Sequence, residues 1–244
     1  MIGHARIDEN GKITNGKAGD QTSKEVVVSG YYVHSKGWRV FRAKDAAVRE
    51  KIAEAMRKAC NNDNIGYDQY QRNTLYNLAA KVGFDVGRVT TPCETDCSAL
   101  VRVCCAYAGV MLPDFNTSSE AKVLLDSGAF TEMTGSKYTT SENYLLKGDL
   151  LVTVSKGHTA AVLDDGAYAD TTTLSQRLLR RGCKGDDVVG LQKILNTLGY
   201  SCGSVDGVFG AKTEAAVRNF QLENDCEVDG KVGAETRAAL KKAL

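Results

Sequence analysis

The stretch Thr95-Asp96-Cys97-Ser98-Ala99-Leu100-Val101 decides how the first two thirds of the chain are read. Thr95 or Asp96 supplies a helix cap, and the apolar run that follows supplies a buried helix face. Cys97 then falls in the first turn, where unpaired backbone N–H groups and the helix dipole favour a thiolate. A thiolate attacks an amide carbonyl, and adjacent N–H groups can hold the oxyanion that forms. Position alone does not make a cysteine catalytic, because most cysteines beside an apolar helix are packing residues. Cys104 and Cys105, deeper in the same helix, fit that description, and Cys60 and Cys93 carry no cap signature.

A cysteine nucleophile needs one positioned imidazole. The histidines are His4, His34 and His158. His158 follows the strand-like GDLLVTVSKG and opens HTAAVL, so it stands at the start of a strand, able to face the end of a helix packed across the sheet. His4 and His34 lie in a glycine-rich N-terminal region and are expected at the surface. A third polar group should orient the imidazole. Asp164, Asp165 and Asp170 follow His158, the first two as turn residues. Side chains alternate along a strand, so the partner must share the face of His158. A two-residue loop at Asp165–Gly166 pairs His158 with Thr173 and turns Asp170 away. A three-residue loop over 164–166 sets Asp170 opposite Ala160, diagonal to His158 and on its face. Asp170 therefore requires the odd loop, and Thr171 and Thr173 are the alternatives.

Outward from this pair, VVVSGYYVHSKGWRVF reads as extended segments around a turn at Ser35–Gly37. Helical spacing is expected over 44–60, 68–82 and 98–108, and again in SSEAKVLLDSG, which ends at Gly128. The period then changes to short strands at 149–154, 158–163 and 167–171. Helices first and strands later imply an α+β domain over residues 1–173. Residues 174–177 make a linker. The rest, 178–244, holds an internal repeat: DGVFGAKTEAAV from Asp206 returns 23 residues later as DGKVGAETRAAL from Asp229. Each copy is a glycine turn feeding a capped helix. With the preceding amphipathic DDVVGLQKILNTLG, the repeat predicts a small three-helix domain.

Bulk properties exclude several classes. A net charge of +1 draws the 244-residue chain to neither nucleic acid nor an anionic membrane. No apolar stretch is long enough to span a bilayer. The N-terminus lacks the basic start and apolar centre of a secretory signal. The eight cysteines form no small-protein disulfide framework. Cys93 and Cys97 make a C-x3-C pair with no second pair, so neither a zinc site nor a cofactor is expected.

Asp96-Cys97-Ser98 opening an apolar helix, followed by Gly148-Asp149-Leu150 and then Gly157-His158, resembles the NlpC-like cell-wall cysteine peptidases. The resemblance covers about residues 65–173. It implies a papain-like fold, Cys97 as nucleophile, His158 as base, and a third polar residue about twelve positions after the histidine, at Asp170. The family has His, Asn or Gln there, so Asp170 departs from its pattern. Asp96 and Ser98 become candidates for binding the substrate peptide. The C-terminal repeat resembles the three-helix peptidoglycan-binding domain, whose hallmark stands here as Asp206, Gly207, Phe209, Gly210 and Thr213. Gly19-Asp20-Gln21-Thr22 is similar to a stretch of phage lysins of this type.

Together these imply an endolysin that cuts an amide in the peptide part of peptidoglycan. The expected bond joins D-glutamate to the third stem residue. The alternatives are an N-acetylmuramoyl-L-alanine amidase, a catalytically inactive wall-binding protein, and an acyltransferase on the same fold. Peptidoglycan is the expected partner, and the host cytoplasm the expected location until release.

Overall fold

The computed structural model describes residues 1–155, 157–166 and 177–243. The chain divides into two compact units, Met1–Asp164 and Asp165–Leu244. The first begins with β1 (Ile2–Ala5), β2 (Val26–Ser29) and β3 (Trp38–Ala43), followed by α1 (Ala46–Cys60), β4 (Ile65–Tyr67) and α2 (Thr74–Ala80). It continues with β5 (Cys93–Thr95), α3 (Cys97–Tyr107), α4 (Glu120–Asp126), β6 (Phe130–Met133) and a short α5 (Ser136–Thr139). β7 (Leu150–Thr153) and β8 (Thr159–Val162) close it.

Three strands precede the first helix, so the expected order of helices first and strands later is corrected. Six strands form one sheet in the order β2-β1-β8-β7-β3-β6, and β4 and β5 pair separately in parallel. The N-terminal residues thus supply one side of the sheet, with β2 at its edge and β1 beside it. β1 pairs with β2 on one side and with β8 on the other, antiparallel in both cases.

Alternation along the strands separates two apolar layers. Ala5, Phe41, Leu150, Val152 and Ala161 face α1 and α3 in the main core. Ile2, Trp38, Val40, Leu151, Ala160 and Val162 pack on the opposite face. Helix α2 starts later than its periodicity predicts. The Asp68 carboxylate accepts from the backbone N–H groups of Tyr70 and Gln71 through one oxygen and of Asn15 and Gly16 through the other. A side chain that competes for backbone donors holds a turn there instead of a helix.

The Gly-Asp-Gln-Thr stretch has a structural role. Asp20 accepts from the N–H groups of Thr22, Lys24, Glu25 and Val26, which folds the chain back into β2. Gly148 is equally constrained. It lies at φ +81°, and a Cβ there would come within 2.1 Å of the Arg49 carbonyl oxygen. Its neighbour Asp149 is fully buried and holds the Arg42 guanidinium through two hydrogen bonds of 2.8 and 2.6 Å.

The second unit is helical, with α6 (Asp186–Thr197), α7 (Ala211–Glu223) and α8 (Ala234–Ala243) around a core of Leu191, Ile194, Phe209, Val217, Phe220 and Leu240. Gln192 Nε2 donates to Asp206 Oδ1, the Val208 carbonyl and Thr213 Oγ1, while its Oε1 accepts from the N–H groups of Asp206 and Gly207. Gln221 repeats the pattern with Asp229, Lys231, Thr236 and Gly230. The repeated Asp-Gly…Thr pattern is therefore a clasp around a buried glutamine. Phe209 and Thr213, expected from the resemblance to touch the wall, are 0% and 2% exposed and face inward. Gly207 is buried too, and Asp206 is exposed but engaged by Gln192.

Candidate active site

Cys97 is the first residue of α3, and Asp96 is its cap, with the Asp96 carboxylate accepting from the Ala99 N–H at 2.7 Å. Ser98 Oγ donates to the same Asp96 oxygen at 2.8 Å. The other Asp96 oxygen accepts from Arg72 at 2.9 Å, and Arg72 continues to Ser98 Oγ, Asp114 and the Phe115 carbonyl. A guanidinium that bridges this many acceptors locks the helix start to the 114–115 loop. Asp96, Cys97, Ser98 and Arg72 line a cleft of about 480 Å³, with Gln69, Asn116, Thr117, Ser118 and Gly157 on its other walls. Arg72 was not legible in the sequence, because an arginine 24 residues before Asp96 has no local signature.

His158 stands at the mouth of the same strand pair. Its backbone is fixed by Thr153, whose N–H donates to the His158 carbonyl at 3.0 Å and whose Oγ1 accepts from the His158 N–H at 3.1 Å. The next residue, Thr159, turns to the sheet face that carries α3, and its N–H acts on the Cys97 thiol. The nucleophile and base candidates thus converge on the start of β8, rather than meeting across one face of the sheet. The Tyr32 ring lies 6.4 Å from that of His4, and burial, with a charge on Cys97 adding to it, raises its hydroxyl against Arg6.

The third group is the principal surprise. Asp170, Thr171 and Thr173 lie outside the described residues. The edge of β8 opposite β7 is occupied by β1, and its register, Ile2↔Val162 and Gly3↔Ala161, continues to set His4 opposite Ala160. That is the diagonal position that the odd loop reserved for Asp170. His4 Nδ1 lies 2.7 Å from His158 Nε2, and His4 Nε2 lies 3.1 Å from Ser29 Oγ. Ser29 Oγ in turn donates to the Gly30 carbonyl at 3.4 Å.

One tautomer set satisfies this chain in sequence. His158 Nε2–H donates to His4 Nδ1, His4 Nε2–H donates to Ser29, and Ser29 donates to Gly30. It leaves His158 Nδ1 with its lone pair, as a base requires. His4 is 2% exposed, which corrects the expectation of a surface position. His34 is half-buried, with its ring 5.1 Å from Trp38 and 6.3 Å from His158.

Electrostatics set the resting protonation. Burial, then the His34 and Arg6 charges, holds His158 down to about 4, and burial with His158 and Arg6 holds His4 down to about 3. Both imidazoles are neutral near pH 7. Burial, with Asp96 and Glu120 adding to it, pushes the Cys97 thiol up, against the N–H groups of Thr159 and Ser98. The expected resting thiolate is therefore corrected: a dry surround and the Asp96 carboxylate outweigh the helix dipole. A neutral thiol beside a neutral imidazole must lose its proton during attack. All eight cysteines are free, and among the described residues no cluster of three or more His, Cys, Asp or Glu is arranged to hold a metal. No helix of the described residues is long and apolar enough to cross a membrane.

Known proteins agree with this two-part organisation. Residues 184–240 match the peptidoglycan binding domain family. A spore cortex-lytic enzyme of Halalkalibacterium halodurans is 48% identical over 75 residues, 30% of this chain and 23% of that protein. The N-acetylmuramoyl-L-alanine amidase CwlM of Mycobacterium tuberculosis is 45% identical over 56 residues, 23% of this chain and 14% of that protein. The chain thus spans a quarter or less of either relative. The crystal structure of the SleB N-terminal domain shares 46% identity over 28% of this chain and 94% of that one, with a TM-score of 0.28. Residues 2–169 match the endolysin-like domain, and the chain belongs to that family.

Proposed function

We propose that the protein is a peptidoglycan hydrolase that cuts an amide in the wall peptide with Cys97 as nucleophile, His158 as base and His4 as the group that orients it. The observation that carries the reading is the one-directional chain from His158 through His4 to Ser29, set beside a capped cysteine. A cysteine at the start of a helix, held by the N–H of Thr159 next to a strand-borne histidine, supports a papain-like reading of the first unit.

In the reaction, Cys97 Sγ attacks the carbonyl carbon as its proton passes to His158 Nδ1. The oxyanion takes up N–H groups at the start of α3. Collapse breaks the C–N bond, and His158 returns the proton to the leaving amine. Water, deprotonated by His158, then attacks the thioester and releases the acid and the Cys97 thiol. His4 accepts a hydrogen bond from His158 Nε2–H throughout, which stabilises the imidazolium. Asp96 and Ser98 shape the cleft beside the scissile bond, and the second unit holds peptidoglycan.

The bond we infer is D-glutamyl to the third stem residue. Cleavage between muramic acid and L-alanine is the second reading, favoured by the similarity to a protein named as an amidase. Wall lysis by the wild type and by Cys97→Ala tests the mechanism: lysis unchanged in the variant would sink the cysteine mechanism of both readings, and absence of lysis by the wild type would favour an inactive wall-binding protein. Mass spectrometry of the digest separates the two bonds, since only amidase action frees peptides with an intact L-alanine N-terminus from glycan.

A further inference from the structure

One fully buried acid next to the site has no part in the steps above. Glu120, the first residue of α4, is 0% exposed. Its Oε1 accepts from Thr159 Oγ1 at 2.8 Å, and no donor reaches Oε2. Thr159 is the residue whose N–H acts on the Cys97 thiol. The same segment carries Thr117, whose Oγ1 accepts from the Gly157 N–H at 3.2 Å. Gly157 and Thr159 flank His158, so residues 117–120 grip the base from both sides.

We propose that Glu120 is a positioning residue that holds Thr159 against Cys97, and whose ionisation turns the nucleophile off. The inference rests on reading Cys97 as the nucleophile. A carboxylate with an unpartnered buried oxygen is costly, and the cost is relieved by keeping the proton. Burial, with Asp96 adding to it, pushes Glu120 up to about 8. Once ionised, it opposes negative charge on Cys97 during attack.

The titratable groups that face Glu120 are few. Asp96, Cys97 and Cys105 come from α3 and its cap. β8 contributes the neutral Thr159. On its own helix, Lys122 and Asp126 pair with each other at the surface. On the adjoining β6, Glu132 is held by Arg39.

The test is the pH profile of wall lysis for the wild type, Glu120→Gln and Cys97→Ala. Wild-type kcat/KM is expected to fall about tenfold between roughly pH 7.5 and 9, while the Gln variant, whatever its absolute rate, shows no such fall. Equal alkaline falls in both proteins overturn the proposal. Lysis by Cys97→Ala would instead overturn the nucleophile assignment. If the Gln variant does not fold, alkylation of Cys97 by iodoacetamide in the wild type decides. Its rate should climb with pH and level off above about 8. An unbroken tenfold rise per unit to roughly pH 9 overturns the proposal.

Discussion

His4 is the residue on which the site turns. It is 154 positions from His158 in sequence and one strand away in space. Nothing local announces it, because β1 is four residues long and buried throughout, so it shows no alternation of apolar and polar positions. Cys97 and His158 were legible for the opposite reason: a cap, a turn and a strand start are local signals. The position that strand parity marked for Asp170, opposite Ala160, is the one the β1–β8 register gives to His4, and Asp170 itself lies outside the described residues. On the proposed mechanism His4 orients His158, so His4→Ala should lower kcat about ten- to hundredfold with little change in KM, and His4→Asn should recover part of the loss. A large rise in KM with kcat unchanged would assign His4 to substrate binding instead. Both site histidines also link folding to pH. Each binds its proton far more weakly in the fold, at about 3 and 4, than at the ordinary 6.5. Between those values the unfolded chain holds more protons, so stability rises with pH up to about 6.5. Thermal melts should therefore drop on acidification from about pH 6.5 to 4, less steeply in His4→Asn.

Among the elements, the longer helices followed from apolar spacing and β7 and β8 from short apolar runs, whereas β1, β4 and β5 did not. A period of two cannot be established over so few positions. β1 was missed for that reason, and with it the sheet order that brings β1 against β8. In the second unit the repeat was plain, but its meaning was not. Gln192 and Gln221 sit in amphipathic helices where a polar residue suggests the solvent side, yet they are 1% and 0% exposed. Each ties a glycine turn to the helix that follows it. Gln221→Ala removes four hydrogen bonds and takes the acceptor from the buried Gly230 N–H, while Asp229 and Thr236 keep hydrogen bonds with Lys231. The expected cost is about 2–4 kcal/mol, read as a shift in denaturant unfolding of the second unit. A change below about 0.5 kcal/mol would show that water replaces the amide readily and that the clasp is not structural.

At the scale of the whole molecule, each unit has its own core, and one continuous chain joins them. On the proposed function, catalysis on a soluble fragment depends on the first unit alone, while attack on an insoluble wall also depends on how long the enzyme stays there. A module that binds the wall converts each later encounter of the cleft into one at raised effective concentration. Its clasp residues face inward, so contact with the wall must use the outer surface of the helices and turns rather than Phe209 or Thr213. Removing residues 177–244 should leave kcat/KM on a soluble muropeptide within about twofold of the full chain, and lower the lysis rate of intact sacculi about tenfold or more at low enzyme concentration. Added salt or excess enzyme should narrow that gap, because a tether matters only while binding limits the rate. Equal loss on both substrates would mean that the second unit supports the cleft itself. Equal activity on both would mean that the first unit finds the wall without help.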